Sequence, residues 1–161
     1  MGDYALRHPE RAAHEAFELI NTRSRPTMDS LLADVSEATG KSIDIREMSM
    51  LGTWGAAALW MDLGDRHLIL ESAPTSSHHR AWVRAHEFGH IVYAHLGWAD
   101  PPAHARTFAE AGQLLDAARQ HSVDFRRPAE QAAEAFARYA DLRIREAHGG
   151  GHDNDYTAAL S

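Results

Sequence analysis

Two histidines and a glutamate in the string HEFGH, residues 86–90, are the residues of this chain best suited to chemistry. On a helix, His86 and His90 fall on one face because they are four residues apart, so both imidazoles can bind the same metal ion. Glu87 lies one position along, where its carboxylate can accept a proton from a water that the metal activates. This is the HExxH pattern that is typical of zinc metalloproteases.

The surrounding sequence predicts a single helix over residues 78–96. Gly97 provides a stop, and apolar or small residues recur at helical spacing: Trp82, Ala85, Phe88, Gly89, Val92 and Leu96. Within a helix, glycine costs about 1 kcal/mol relative to alanine. A closely approaching neighbour, such as another backbone, would account for Gly89.

A zinc site that does chemistry needs a third protein ligand and an open fourth position. His95 is a poor candidate, because it follows His90 by five residues and is rotated well off the ligand face at about 100° per residue. The spacing of a metzincin would need a histidine at position 96, where Leu96 stands. We therefore expect a carboxylate from a later helix.

An alanine-rich stretch that begins with Pro128 predicts this later helix, over residues 128–147. Glu130 and Glu134 lie one turn apart on it, beside small residues that would allow another helix to approach. We assign Glu130 as the third ligand and Glu134 as the group that holds a ligand imidazole by its other nitrogen. The residues alone leave the reverse assignment open.

Four further polar residues are candidates for lining the site. Tyr93 follows His86 by seven residues and lies on nearly the same face, although a core aromatic would have the same spacing. Tyr139 lies one turn beyond the two glutamates and could stabilise an oxyanion. His104 and His121 flank another predicted helix, over 103–120, and could serve the same purpose.

Three segments, taken in order, resemble the ImmA/IrrE family of metallopeptidases, and particularly its short actinobacterial-type members. They are LWMDLGDRHLILE (59–71), RAHEFGH (84–90) and the ExxAExFA stretch (130–137). The resemblance extends over roughly residues 27–145.

The resemblance implies a zincin-like fold in which His86, His90 and Glu130 bind zinc and Glu87 is the catalytic base. It also implies an endopeptidase that cleaves a protein partner, namely a helix-turn-helix transcriptional repressor. The chain departs from the family at Glu134, where many members have Asn or Asp.

A second hypothesis is a non-proteolytic binding module with a structural or vestigial zinc site, which would act by binding a regulator. Glu87 favours the enzyme, because a structural zinc site has no use for a base beside an open ligand position.

Composition limits the function further. A chain of 161 residues with 44% hydrophobic residues is long enough for one globular domain with a core of its own. Its net charge of −7 argues against direct nucleic-acid binding and favours a basic protein partner. It has no cysteine, which excludes disulfides and cysteine-bound zinc. We find no signal peptide and no apolar span of about 20 residues, so we expect a cytoplasmic protein that does not bind membranes.

The remaining elements predict an α+β, zincin-like fold in which a small three-stranded sheet packs on helices. Capping and periodicity predict helices over 8–23 and from Thr27 to Gly40, and strands over 42–46, 56–62 and 67–71. We divide the chain into an N-terminal helix or extension (1–26), a metallopeptidase domain (27–147) and a glycine-rich, flexible tail (148–161). The strand at 56–62 or the strand at 67–71 could be an edge that pairs with an extended substrate.

Overall fold

The structure is a computed structural model that describes residues 2–21, 23–53, 57–73, 76–102, 105, 127–149 and 153–161. The helix predicted over 103–120, except for residue 105, lies outside these residues, as do His104 and His121. The described part of the chain is mostly helical and has one small sheet, so the α+β class is confirmed.

The elements follow one another in this order: α1 (Tyr4–Arg7), α2 (Pro9–Ile20), α3 (Met28–Thr39), β1 (Ser42–Glu47), α4 (Met50–Thr53), β2 (Ala58–Asp62), β3 (Arg66–Glu71), α5 (Ser77–Leu96), α6 (Pro128–His148) and α7 (Asp153–Leu160). None of the helices in this part of the chain combines the length and the apolar character that crossing a membrane requires.

Local capping fixes the ends of α3 where the sequence predicts them. The Thr27 hydroxyl accepts a hydrogen bond from the backbone N–H of Ser30 at 3.0 Å, and the Ser30 hydroxyl accepts one from the N–H of Thr27 at 2.8 Å. Gly40 ends the helix in the left-handed conformation, with φ 69°.

The three strands form a mixed sheet in the order β1-β3-β2. β3 lies in the centre, parallel to β1 and antiparallel to β2, with which it forms a hairpin. Of the two strands that could pair with a substrate, the one at 66–71 therefore lies between its neighbours, and the one at 58–62 lies at an edge of the described sheet.

One face of the sheet packs into the main hydrophobic core. Ala58, Trp60 and Ile69 point to this face and belong to the main hydrophobic core. The other face carries Leu59 and Met61, which form a separate small cluster with Leu51 of α4. This alternation follows from the two-residue period of a strand, and both faces of β2 are buried.

The N-terminal helices are part of the same core as the rest of the chain. Phe17 of α2 is fully buried and its ring centroid lies 6.2 Å from that of Phe136 in α6. The N–H of Ala5 in α1 donates to the carbonyl of Trp98, which follows α5. The helix predicted over 8–23 is observed as α2, which ends at Ile20 and is preceded by the short α1.

The C-terminal segment also differs from its prediction, which is a flexible tail from residue 148. Residues Asp153–Leu160 form α7, and Ala159 and Leu160 are buried in the main core. The hydroxyl of Tyr156 donates a hydrogen bond to Asp141 of α6 at 2.7 Å. The glycines that precede α7 give no local signal for a helix. Its stability comes from tertiary contacts, which the local sequence does not reveal.

Candidate metal centre

Two long helices, α5 and α6, carry the residues of the site and pack closely against each other. Gly89 lies at their contact, where a Cβ atom built on it would lie 3.3 Å from Cα of Ala133. The close neighbour expected from a glycine within the helix is therefore a turn of α6. Short side chains at this contact allow carboxylates on α6 to reach histidines on α5.

An ion pair attaches α5 to the central strand of the sheet. The Arg84 guanidinium donates two hydrogen bonds to the Glu71 carboxylate, at 2.9 and 2.7 Å. Glu71 is buried at the end of β3, and such bidentate pairs hold a fixed geometry. The pair lies half a turn before His86 and limits how the N-terminal half of α5 can rotate against the sheet.

Three side chains converge on one point between α5 and α6. Nε2 of His86 lies 2.7 Å from Oε2 of Glu130, and Nε2 of His90 lies 3.3 Å from the same oxygen. Ligand atoms of the three residues all lie within 4.8 Å of one another, so the group could hold a metal ion. Two imidazole nitrogens and a carboxylate oxygen are a donor set that zinc accepts, and they leave a coordination position open.

Glu134 contacts this group from the side. Its Oε2 atom lies 3.0 Å from Nδ1 of His86, whereas both Nε2 atoms face Glu130. A hydrogen bond at Nδ1 fixes the proton there and leaves the lone pair of Nε2 for a metal. The geometry thus gives the two glutamates different positions, Glu130 within the group and Glu134 behind one imidazole.

Hydrogen bonds within the group shift the pKa values of its side chains. Burial lowers the pKa of His86, but hydrogen bonds to Glu130 and Glu134 outweigh it and raise that pKa to about 10. Burial raises the pKa of Glu130, but hydrogen bonds to His86 and His90 hold it well below its ordinary value. Both shifts favour a protonated His86 beside an ionised Glu130 when no metal is bound.

Glu87 is buried beside the group and differs from both α6 glutamates. Its Oε2 atom has no hydrogen-bond partner among the described residues. Burial raises the pKa of its carboxyl, against smaller opposing effects of His90, His86 and a hydrogen bond from the backbone of Trp60. Burying a carboxylate without a full set of hydrogen-bond partners costs folding free energy. The burial of Glu87 therefore needs an explanation other than stability.

Neither of the two candidate tyrosines makes a hydrogen bond to the group in the described structure. The Tyr139 hydroxyl donates to Glu18 at 3.0 Å, and its ring packs on Phe17, so it lies on the face of α6 that packs against α2. The proposed oxyanion role is thereby corrected: at about 100° per residue, position 139 is rotated about 140° from Glu134.

Tyr93 is a core aromatic. It is 1% exposed, with its ring centroid 6.0 Å from that of Phe136 and 6.5 Å from that of Trp98. Its hydroxyl has no hydrogen-bond partner among the described residues, and burial raises its pKa.

Trp82 belongs to the site although the sequence does not predict a role for it there. Its indole Nε1–H donates to Oε1 of Glu134 at 2.7 Å. The only signal in the sequence is that Trp82 precedes His86 by four residues and so lies on the same face of α5. That spacing alone does not distinguish a packing residue from a hydrogen-bond donor.

Comparisons with known proteins give no assignment: no protein-family model matches the chain, and neither a curated protein nor a solved structure matches it significantly.

Proposed function

We propose that this chain is a zinc endopeptidase of the zincin type, in which His86, His90 and Glu130 hold the metal and Glu87 is the general base. The observation that carries the proposal is the position of Glu87. It is buried next to both histidines, its Oε2 atom has no partner in the described structure, and its pKa is raised by burial.

A general base works best when its pKa lies close to the working pH. An ordinary glutamate is too weak a base for this at neutral pH, and burial moves the pKa of Glu87 in the required direction. In the proposed reaction, Oε2 of Glu87 accepts a proton from the attacking water and then donates it to the nitrogen of the leaving amine. Zinc, when bound, supplies Lewis acidity that polarises the scissile carbonyl and makes hydroxide available near neutral pH.

The edge strand β2 is suited to hold an extended peptide beside this group. Backbone hydrogen bonds at Leu63–Arg66 and Ala57–Ser72 fix the register of the hairpin, so even-numbered residues of β2 direct their backbone groups away from β3. The hydrogen bond from the Trp60 backbone to Glu87 indicates that this outward side faces the site. A peptide that paired with the outward groups of β2 other than the Trp60 N–H, which donates to Glu87, would have its backbone close to Glu87.

The substrate class follows from the resemblance to the ImmA/IrrE family, which points to a helix-turn-helix repressor. A DNA-binding repressor is basic on its binding surface, and the net charge of −7 favours a basic partner.

The test is cleavage of the helix-turn-helix protein encoded nearest this gene, followed by intact-mass spectrometry. The zinc-loaded parent is compared with Glu87→Gln, which has nearly the same shape but cannot accept a proton. Glu37→Gln, at an exposed position of α3, is the matched control. We expect Glu87→Gln to retain its metal and to lose at least about 100-fold in cleavage rate, while the control cleaves as the parent does.

Equal cleavage by the parent and Glu87→Gln would exclude Glu87 as the base. Tight binding of the repressor by both proteins without cleavage would favour the non-proteolytic binding module instead.

A further inference from the structure

The indole of Trp82 belongs to a chain of three side chains that ends at the metal-binding group. Its Nε1–H donates to Oε1 of Glu134 at 2.7 Å, and Oε2 of the same carboxylate lies 3.0 Å from Nδ1 of His86. Trp82 and His86 are one turn apart on α5, and Glu134 reaches them from α6. One carboxylate thus bridges two side chains of the motif helix.

This bridge restricts a carboxylate that would otherwise move. The Glu134 side chain is 32% exposed, so water competes for its oxygens, and a glutamate side chain has several rotatable bonds. The indole is rigid, and its only polar hydrogen points at Oε1. With Oε1 occupied, Oε2 is left to accept the hydrogen bond of the imidazole.

We propose that Trp82 is a positioning residue of the metal centre: through Glu134 it fixes the ring orientation and the tautomer of His86, so that Nε2 faces His90 and Glu130. The inference rests on the proposed function in one respect, namely that the group binds a metal. Outer partners of this kind commonly change metal affinity by about 10- to 100-fold when they are removed.

A packing role for Trp82 is the alternative, since its ring also lies against the core and 6.0 Å from the ring of His78. Trp82→Phe separates the two roles, because phenylalanine keeps much of the apolar contact but has no N–H donor. Trp98→Phe is the matched control. Trp98 follows the end of α5, and its ring stacks on Tyr93 and lies edge-on to Tyr4.

The experiment measures zinc affinity by competition with a chromophoric chelator, and the visible spectrum after Co²⁺ substitution. Zinc has no d–d spectrum, whereas that of Co²⁺ reports the geometry of its ligands. We expect Trp82→Phe to bind zinc about tenfold more weakly and to shift the Co²⁺ bands, with Trp98→Phe unchanged on both counts. In a Glu134→Ala background, Trp82→Phe should have no further effect on affinity.

Several results would overturn the inference. Trp82→Phe could match the parent in affinity and spectrum, or it could weaken zinc binding equally with and without Glu134, which is the result that packing alone predicts. A parent protein that binds no zinc would overturn the proposed function itself, so the two failures are distinguishable.

A measurement on the parent avoids dependence on the folding of the variant. The indole N–H signal of Trp82 in a ¹H–¹⁵N spectrum should shift on zinc binding, because Glu134 links the indole to a ligand. An unchanged signal in a zinc-saturated protein would overturn the positioning role.

Discussion

Gly89 and Phe136 meet where α5 crosses α6, and a Cβ atom on Gly89 would lie 2.9 Å from Cβ of Phe136. Real Cβ contacts are almost never this short, so the two helices approach as closely as they do because position 89 has no side chain. Gly89 lies directly before His90, and Phe136 lies two residues after Glu134. The same close contact therefore sets the distance between the histidines and the glutamates.

Gly89→Ala tests this relationship. Alanine improves helix propensity by about 1 kcal/mol, but overpacking typically costs about 1–3 kcal/mol and here meets a buried Phe136 and the α6 backbone. We expect the variant to be less stable than the parent in urea unfolding and to bind zinc more weakly. Increased stability together with unchanged zinc affinity would show that the helices can separate without consequence.

Glu87→Gln should stabilise the metal-free protein. Because burial raises the pKa of Glu87 in the folded state, its ionised form reduces stability above about pH 4.5, and this loss grows as the pH rises through the folded pKa. Gln avoids that charge and can still accept the hydrogen bond from Trp60. We expect a gain of about 1–3 kcal/mol in urea unfolding at pH 7, whereas Glu37→Gln should change stability by less than about 0.5 kcal/mol. A destabilised Glu87→Gln would contradict the view that this carboxylate is held at a cost.

The stability of the metal-free protein and its affinity for zinc should change with pH in opposite directions. The pKa of His86 is raised to about 10, above an unfolded value of about 6.5. The stability that this provides is fully present below about pH 6.5 and is lost as the pH rises through about 10. Zinc binds the neutral imidazole, so zinc affinity should instead rise over the same interval.

Two measurements check these directions. Urea unfolding of the metal-free protein at pH 6.5 and 9.5 should show lower stability at the higher pH, and chelator competition should show tighter zinc binding there. Zinc affinity that is constant from pH 6.5 to 9.5 would mean that zinc does not compete with a proton on His86. A His86→Gln variant, which lacks the titrating group, is the control for the unfolding experiment.

Much of the fold could be predicted because its signals are local. Thr27 and Gly40 mark both ends of α3, and Gly97 marks the end of α5. The hairpin β2–β3 also follows from adjacent strands joined by a short turn. The parallel pairing of β1 with β3 and the formation of α7 could not be predicted, since both depend on contacts between segments that are distant in sequence.

The site shows the same division between features that local sequence predicts and features that depend on distant contacts. The spacing of His86 and His90 predicts a shared face, and the alanine-rich stretch predicts a helix that can approach it. Which oxygen of Glu130 or Glu134 meets which imidazole nitrogen depends on the angle at which α5 and α6 cross. The spacing of residues within one helix does not determine that crossing angle. The hydrogen bond from Trp82 to Glu134 joins residues 52 positions apart and was missed for the same reason.

Zinc binding by ligand variants tests whether His86, His90 and Glu130 hold a metal ion. The parent, Glu130→Ala, Glu134→Ala and His90→Ala are purified without added metal, analysed for metal content and titrated with zinc against a competing chelator. We predict one zinc per chain in the parent, loss of tight binding in Glu130→Ala and His90→Ala, and binding weakened by about 10- to 100-fold in Glu134→Ala. Parent-like affinity in Glu130→Ala, or in His90→Ala, would contradict this assignment of the ligands.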